Sequence, residues 1–181
     1  MNDEQIIELY RSGQQEKAFN AIVDSYTERL YFHIRRFLCS HEDTNDLLQE
    51  VFIKIWGALP SFRGESRLFT WIYRIATNET LNYLRKQKIK YALGFTSESD
   101  ILEKKIDDDA YFDGDAMQRE LQKAIQRLPQ KQRIVFCLRY FDEMKYEDIA
   151  AITDTSVGAL KASYHIAYEK IKKELTQIFN V

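Results

Sequence analysis

Apolar residues recur mostly at steps of three and four along this chain, and residues that break such a pattern are scarce. Phe19, Ile22, Val23, Tyr26, Leu30, Ile34 and Phe37 make one such stripe. That spacing lines one face of an α-helix rather than a strand. The 181 residues include 6 Gly and 2 Pro, too few to supply the turns of a sandwich or barrel. The expected fold is therefore all-α.

Hydrophobic residues make up 45% of the sequence, enough to build a core and to argue against disorder over the whole length. At this length one domain, or two small lobes, is expected. The longest apolar runs, such as Ile134–Leu138, fall far short of the about 20 residues that cross a bilayer, so no membrane insertion is expected. The first residues, MNDEQIIELY, are acidic and lack the basic and apolar regions of a signal peptide. The expected compartment is the cytoplasm. There Cys39 and Cys137 are expected to be small buried hydrophobes rather than a disulfide. With His41 they form no zinc spacing. No catalytic, cofactor-binding or metal-binding residue stands out, and no cofactor is expected.

The net charge of −2 hides an asymmetry. Residues Phe62–Lys90 carry seven Lys/Arg against two Asp/Glu. Phe95–Gln118 carries two against eight, and Arg119–Val181 eleven against eight. The stretch from Gly94 to Gln118 contains Gly94, Gly114 and scattered Ser and shows no sustained helical period. It reads as a flexible acidic linker between two helical lobes.

In the first lobe the pattern predicts helices over about Asp3–Tyr10, Gln15–Leu38, Thr44–Leu59 and Arg67–Lys88. Thr44 is a candidate N-cap and Pro60 a stop. In the second it predicts Ala116–Arg127, Gln130–Tyr140, Tyr146–Thr153 and Val157–Phe179, with Pro129 at a helix start. Only Asp154-Thr155-Ser156 separates the last two, so they form a candidate helix-turn-helix.

Three helix faces carry functional information. On the Thr44–Leu59 helix, Leu47, Leu48, Val51, Phe52, Ile55, Trp56 and Leu59 span one broad face expected to be core. Ile53 lies opposite, among Asp46, Gln49, Glu50 and Gly57. Geometry alone leaves Ile53 as either a single surface apolar residue or a partner contact. On the next helix, Phe69, Ile72, Tyr73, Ala76, Thr80, Tyr83 and Leu84 face inward. Trp71, Arg74, Asn78 and Arg85 form a stripe of aromatic, cation, amide and cation. Such a stripe can stack on unpaired bases and track phosphate, or it can be a solvated basic face. On the last helix, Val157, Leu160, Tyr164, Tyr168, Ile171 and Leu175 are expected to face inward. Small residues at its start, Lys161, His165 and Lys172 along one edge, and Ala162, Ile166 and Lys173 on the exposed side suit a DNA groove, or an ordinary surface helix.

Three stretches, in this order, resemble a known family. They are DTNDLLQEVFIKIW (Asp43–Trp56), FRGESRLFTWIYRIATNETLNYLRK (Phe62–Lys86) and LPQKQRIVFCLRYFDEMKYEDIAAITDTSVGALKASYHIAYEKI (Leu128–Ile171). Together they resemble an extracytoplasmic function (ECF) sigma factor of the sigma-70 family. The resemblance implies a region 2 lobe over residues 1–92, the linker over 93–117 and a region 4 lobe over 118–181. Asp46, Gln49, Glu50 and Ile53 would bind the clamp of core RNA polymerase. Phe62, Arg63, Gly64, Ser66, Trp71, Arg74, Asn78, Arg85 and Lys86 would open and read the promoter −10 element as single strand. Lys145, Ser156, Gly158, Ala159, Lys161, Ala162, Ser163, His165 and Ile166 would meet the duplex −35 element. Region 4 would also bind the polymerase flap. Asp107-Asp108-Asp109 would either mimic nucleic-acid charge inside the polymerase or be a solvated run. An anti-sigma factor is an implied partner, and the chemistry would belong to the polymerase, so the chain is not expected to be an enzyme.

The sequence departs from the family where Ser163, Ile166 and Tyr168 replace frequent arginines, and where Lys145 stands at a cap usually held by Ser or Thr. These departures imply weaker, more context-dependent −35 binding. Two other readings remain: a free-standing helix-turn-helix regulator, which leaves the Trp71 stripe unexplained, and a magnesium-dependent nuclease using the acidic run.

Overall fold

The computed structural model describes residues 1–92, 98–109 and 115–180, and every regular element among them is helical. The N-terminal lobe is built from α1 (Asp3–Arg11), α2 (Gln15–Leu38), α3 (His41–Ala58) and α4 (Leu68–Ala92), with a 3-10 turn at Leu59–Ser61. Ile22, Leu30 and Ile34 of α2, Val51 and Ile55 of α3, and Ile72, Tyr73 and Ala76 of α4 form its core. The helix α1 is closed by a capping box between Asn2 and Gln5. Asp3 then ties it down. One carboxylate oxygen accepts from the Tyr26 hydroxyl at 2.6 Å and the other from the Phe69 backbone N–H at 3.1 Å.

Helix α3 begins three residues before the expected Thr44. Cys39 ends α2 in the left-handed region at φ 53°, and Ser40 starts the next helix at once. The Ser40 hydroxyl accepts the Asp43 N–H at 3.3 Å, so Ser40 is the cap. Thr44 is buried in the first turn and donates its hydroxyl to the Ser40 carbonyl at 2.6 Å. Pro60 sits in the 3-10 turn that ends the helix.

The C-terminal lobe comprises α6 (Ala116–Gln126), α7 (Gln130–Tyr140), α8 (Tyr146–Thr153) and α9 (Val157–Phe179). Asp115 caps α6 and Pro129 precedes α7. Ile125, Val135, Phe136, Leu138, Ile149, Leu160, Ala167 and Ile171 are among its buried side chains. Cys39 and Cys137 are buried free thiols.

Part of the acidic linker is a helix, α5 (Glu98–Asp107), which the weak period of this stretch did not announce. A helix this short is marginal in water by itself, so its anchors explain it. Ile106 is fully buried beside Cys39. Lys105 pairs with Asp43 at 2.8 Å, Asp107 with Lys123 at 2.7 Å and Glu103 with Arg127 at 2.8 Å. Arg35 pairs with Asp109. The linker charges therefore reach into both lobes. Gly94 and Gly114 lie outside the described residues. The lobes themselves meet, with α4 against α8 and α2 against α7.

Candidate nucleic-acid interface

Burial of Leu68, Ile72, Tyr73 and Ala76 fixes the rotation of α4 and turns its Trp71 stripe outward. Trp71 is half-buried because the preceding loop returns over it. The Phe62 and Trp71 rings lie 5.1 Å apart, tilted by 51°. Gly64 adopts φ 75°, the left-handed region that favours glycine, and a Cβ there would meet nothing closer than Arg11 Nη2 at 3.7 Å. The demand for glycine is thus conformational. Arg63 and Gly64 are exposed and Ser66 is half-buried, so the Phe62–Ser66 loop and Trp71 share one spot on the surface. Arg74, Asn78, Arg85 and Lys86 follow along the exposed side.

In the C-terminal lobe, Asp154 ends α8 in the left-handed region at φ 53°. The Ser156 hydroxyl caps α9 by accepting the Ala159 N–H at 3.3 Å. Ser156 is therefore occupied as a cap. A Cβ on Gly158 would meet no protein atom within 4 Å, so open space lies in front of the helix. Lys161, Ala162, His165 and Ile166 are exposed and Ser163 is half-buried. Lys161 Nζ lies 5.7 Å from the Tyr146 ring centre, a cation–π position that aims the lysine across α8. Lys145 begins α8 with no side-chain cap, as its chemistry requires.

Two inward assignments are corrected. Tyr168 is 43% exposed, because the buried line of α9 runs through Leu160, Ala167 and Ile171 and leaves Tyr168 at its edge, stacked on Tyr164. With Met117, Tyr140 and Leu175 it lines an apolar groove of about 380 Å³. Trp56 is 43% exposed rather than core. Its ring meets Phe19 edge-on at 5.0 Å, and with Phe52 and Ile53 these residues line a groove of about 660 Å³ between α2 and α3. Asp46, Gln49 and Glu50 are exposed beside it, and Ile53 is 70% exposed. The sequence pattern placed Ile53 outside, as observed, but Trp56 inside. The available signal was their separation of three residues, which makes them helical neighbours.

The stripe of α4 and the start of α9 face each other. Arg74, Asn78 and Arg85 line a cleft of about 490 Å³ with Thr155, Ala159 and Ser163, and Arg74 donates to the Ala151 carbonyl. Lys161, Ala162, His165 and Ile166 are not among the residues that line this cleft.

Comparison with known proteins gives these surfaces a class. The family model for sigma-70 region 2 matches residues 22–89, and that for sigma-70 region 4 matches residues 118–171. These are the modules of a transcription-initiation factor, not of an enzyme. The chain is 33% identical to the ECF RNA polymerase sigma factor SigW of Bacillus subtilis (strain 168), over 95% of this chain and 96% of that one. It is 33% identical to the ECF RNA polymerase sigma-E factor of Escherichia coli (strain K12), over 97% and 95% respectively. It is 32% identical to the RNA polymerase sigma-H factor of Pseudomonas aeruginosa, over 96% and 93%. The chain therefore belongs to the sigma-70 family, in its extracytoplasmic function group. Two solved structures share the fold. CnrH in complex with the cytosolic domain of CnrY has a TM-score of 0.72 at 21% identity, covering 97% of each chain. The sigma factor RpoE in complex with the anti-sigma factor NepR, from Bartonella quintana, has a TM-score of 0.70 at 22% identity, covering 88% of this chain and 98% of that one. Among the described residues no helix is long and apolar enough to cross a membrane. The region 2 match leaves a free-standing helix-turn-helix regulator unfavoured.

Proposed function

We propose that this sigma factor docks on core RNA polymerase through the α3 face, reads the duplex −35 element with α9 and captures the opened −10 strand with α4. Asp46, Gln49, Glu50 and Ile53 form the docking face, and the adjoining Trp56 and Phe19 give it an aromatic anchor of the kind that dominates interfaces. The observation that carries the reading is the form of α9. Its start is small at Gly158 and Ala159 and open at Gly158, and its outer side presents Lys161, Ala162, His165 and Ile166 exposed, outside the cleft shared with α4. Backbone can therefore approach phosphate closely, while lysine and apolar side chains reach base edges and thymine methyls. Trp71 with Phe62 offers stacking surface to an unpaired base, Asn78 a base-edge donor and acceptor, and Arg74, Arg85 and Lys86 phosphate neutralisation.

The likeness to sigma factors solved with bound inhibitory or cytosolic partners extends the reading to an anti-sigma protein that engages the free chain. The test is co-purification with core RNA polymerase followed by transcription from a library of promoter fragments. The expected result is a stable complex that initiates at a shared −35/−10 pair. A chain that binds DNA but neither retains core polymerase nor directs initiation overturns the proposal.

A further inference from the structure

A cation from the first helix reaches the Phe62–Ser66 loop. Helix α1 is held at both ends. At its start the Asp3 carboxylate bridges the Tyr26 hydroxyl of α2 and the Phe69 backbone N–H in the first turn of α4. Ile6 is buried on its core side. At its end the chain turns sharply into α2. Gly13 adopts φ 80° and its N–H donates to the Tyr10 carbonyl at 3.1 Å, while the Gln14 N–H donates to the Leu9 carbonyl at 3.0 Å. The Ser12 hydroxyl also donates to the Leu9 carbonyl, at 2.9 Å. The last turn of α1 is thereby placed beside the loop that precedes α4, and Arg11 extends toward Gly64. Its Nη2 atom lies 3.7 Å from the position that a Cβ on Gly64 would take.

Arg11 and Arg63 are exposed and, among the described residues, neither is paired with a carboxylate. Arg67, the next cation of the loop, is already paired with Asp148 at 2.7 Å. An arginine in the last turn of a helix complements the helix dipole, but that role asks only for a cation near the end carbonyls. It does not place the guanidinium over the backbone of a loop distant in sequence. A base extruded against Trp71 and Phe62 carries its sugar and phosphate on the solvent side of the rings, and Gly64 has no side chain to keep that phosphate away. A guanidinium held there presents a planar fork that matches a phosphate with two parallel hydrogen bonds, which a lysine cannot do. Arg74 and Arg85 follow Trp71 along α4, whereas Arg11 and Arg63 flank the loop before it, so the four cations leave Trp71 with positive charge on either side.

We propose that Arg11 is a further contact of the opened −10 strand: its guanidinium holds a phosphate of that strand at the Phe62–Ser66 loop, so the strand-capturing surface is built from α1 as well as α4. This rests on the reading of the loop and α4 as the strand-capturing surface given above.

The test uses the holoenzyme and a fluorescein-labelled fork probe, duplex through the −35 element and single-stranded across the −10 element, titrated at several salt concentrations. Arg11→Ala should weaken binding about five- to tenfold and lower the salt slope by about 0.7, the share of one single-strand phosphate. Arg11→Lys keeps the charge and should keep the slope, while recovering only part of the affinity because it lacks the fork. A probe with the −35 duplex alone should bind wild type and both variants alike. Replacing the −10 phosphates one at a time by uncharged methylphosphonate should cost the wild type affinity at a position to which Arg11→Ala is indifferent. An arginine with a merely structural role would give no such position. Arg11 is exposed at a helix end, so circular dichroism should show unchanged helicity and an unchanged unfolding midpoint in Arg11→Ala. Wild-type affinity and slope in Arg11→Ala overturn the proposal, as does a loss that falls equally on every phosphate analogue. Trp71→Ala on the same probe judges the other reading by itself. Loss there without loss in Arg11→Ala keeps that reading and sinks the Arg11 contact, and the reverse keeps the contact and sinks that reading.

Discussion

Phe62 leans on Trp71 at 5.1 Å between ring centres, so the loop before α4 and the first exposed aromatic of that helix form one surface. Trp71 is held in place by a partner that precedes it by nine positions, and its outer face stays accessible. A preset indole can stack on an extruded base for about 1–3 kcal/mol, enough to offset much of the few kcal/mol that unstacking costs. Trp71→Ala should spare polymerase binding and initial duplex binding but reduce open-complex formation. A promoter mismatched across the −10 region should restore much of the lost transcription. The measurement is permanganate reactivity of −10 thymines in the variant holoenzyme. Wild-type reactivity on duplex promoter would make Trp71 a packing residue only.

The groove beside α3 makes a separate prediction. Ile53 is 70% exposed, so Ile53→Lys should leave the fold and its helicity intact. If Ile53 is an interface anchor, the change should weaken affinity for core polymerase by about 2 kcal/mol or more. Trp56→Ala should weaken it similarly, although Trp56 also rests on Phe19 and some stability will be lost with that edge contact. A binding titration against core polymerase, paired with circular dichroism, separates the two effects.

The two lysines at the helix-turn-helix should behave differently. Lys161 projects from the outer side of α9, so Lys161→Ala should weaken −35 binding and relax base preference by about 1–3 kcal/mol. Lys145 stands before α8, so Lys145→Ala should weaken all sequences alike and reduce the salt slope of binding by about one unit. Binding isotherms of the holoenzyme on −35 variants at several salt concentrations read both. If neither change alters promoter binding, α9 is not the reading element.

The buried thiols predict a weakness at alkaline pH. Burial pushes Cys39 from 9.0 up to about 11, although the Gln122 contact and Arg35 act against it. Burial likewise pushes Cys137 up to about 12. The folded chain holds both protons more tightly than the unfolded chain. The stability this contributes is complete below pH 9.0 and is lost as pH rises toward 11 and 12. Each unit of pH in that window should remove about 1.4 kcal/mol per thiol. Urea unfolding at about pH 8 and about pH 10 should show the fall, and Cys39→Ala/Cys137→Ala should flatten it. The slope will not vanish, because burial also raises Tyr26 and Tyr73. An unchanged slope in the double variant would mean the thiols ionise freely in the folded chain.

Local signals were sufficient for most of the architecture. The three- and four-residue stripe placed α2 and α9, and Pro129 marked the start of α7. The Asp154-Thr155-Ser156 turn placed the helix-turn-helix, with Ser156 as its cap. Each of these depends on residues within a turn or two of one another, so periodicity and capping chemistry suffice. The rotation of α4, and with it the outward stripe of Trp71, Arg74 and Asn78, follows from the same local pattern. Only the tertiary structure decided which edge residues stay exposed. Trp56 and Tyr168 sit beside buried lines, and whether a neighbour covers them depends on helix packing rather than on their own helix. It also decided that a short acidic segment becomes α5, because Ile106 and its ion pairs find partners in both lobes. Above all it decided that the lobes close. His33 and Asp142 are 109 positions apart, and Arg74 and Ala151 are 77 apart. No pattern within one helix encodes such a meeting. It follows from the balance between loop closure, water released from two surfaces and a few polar groups that fit.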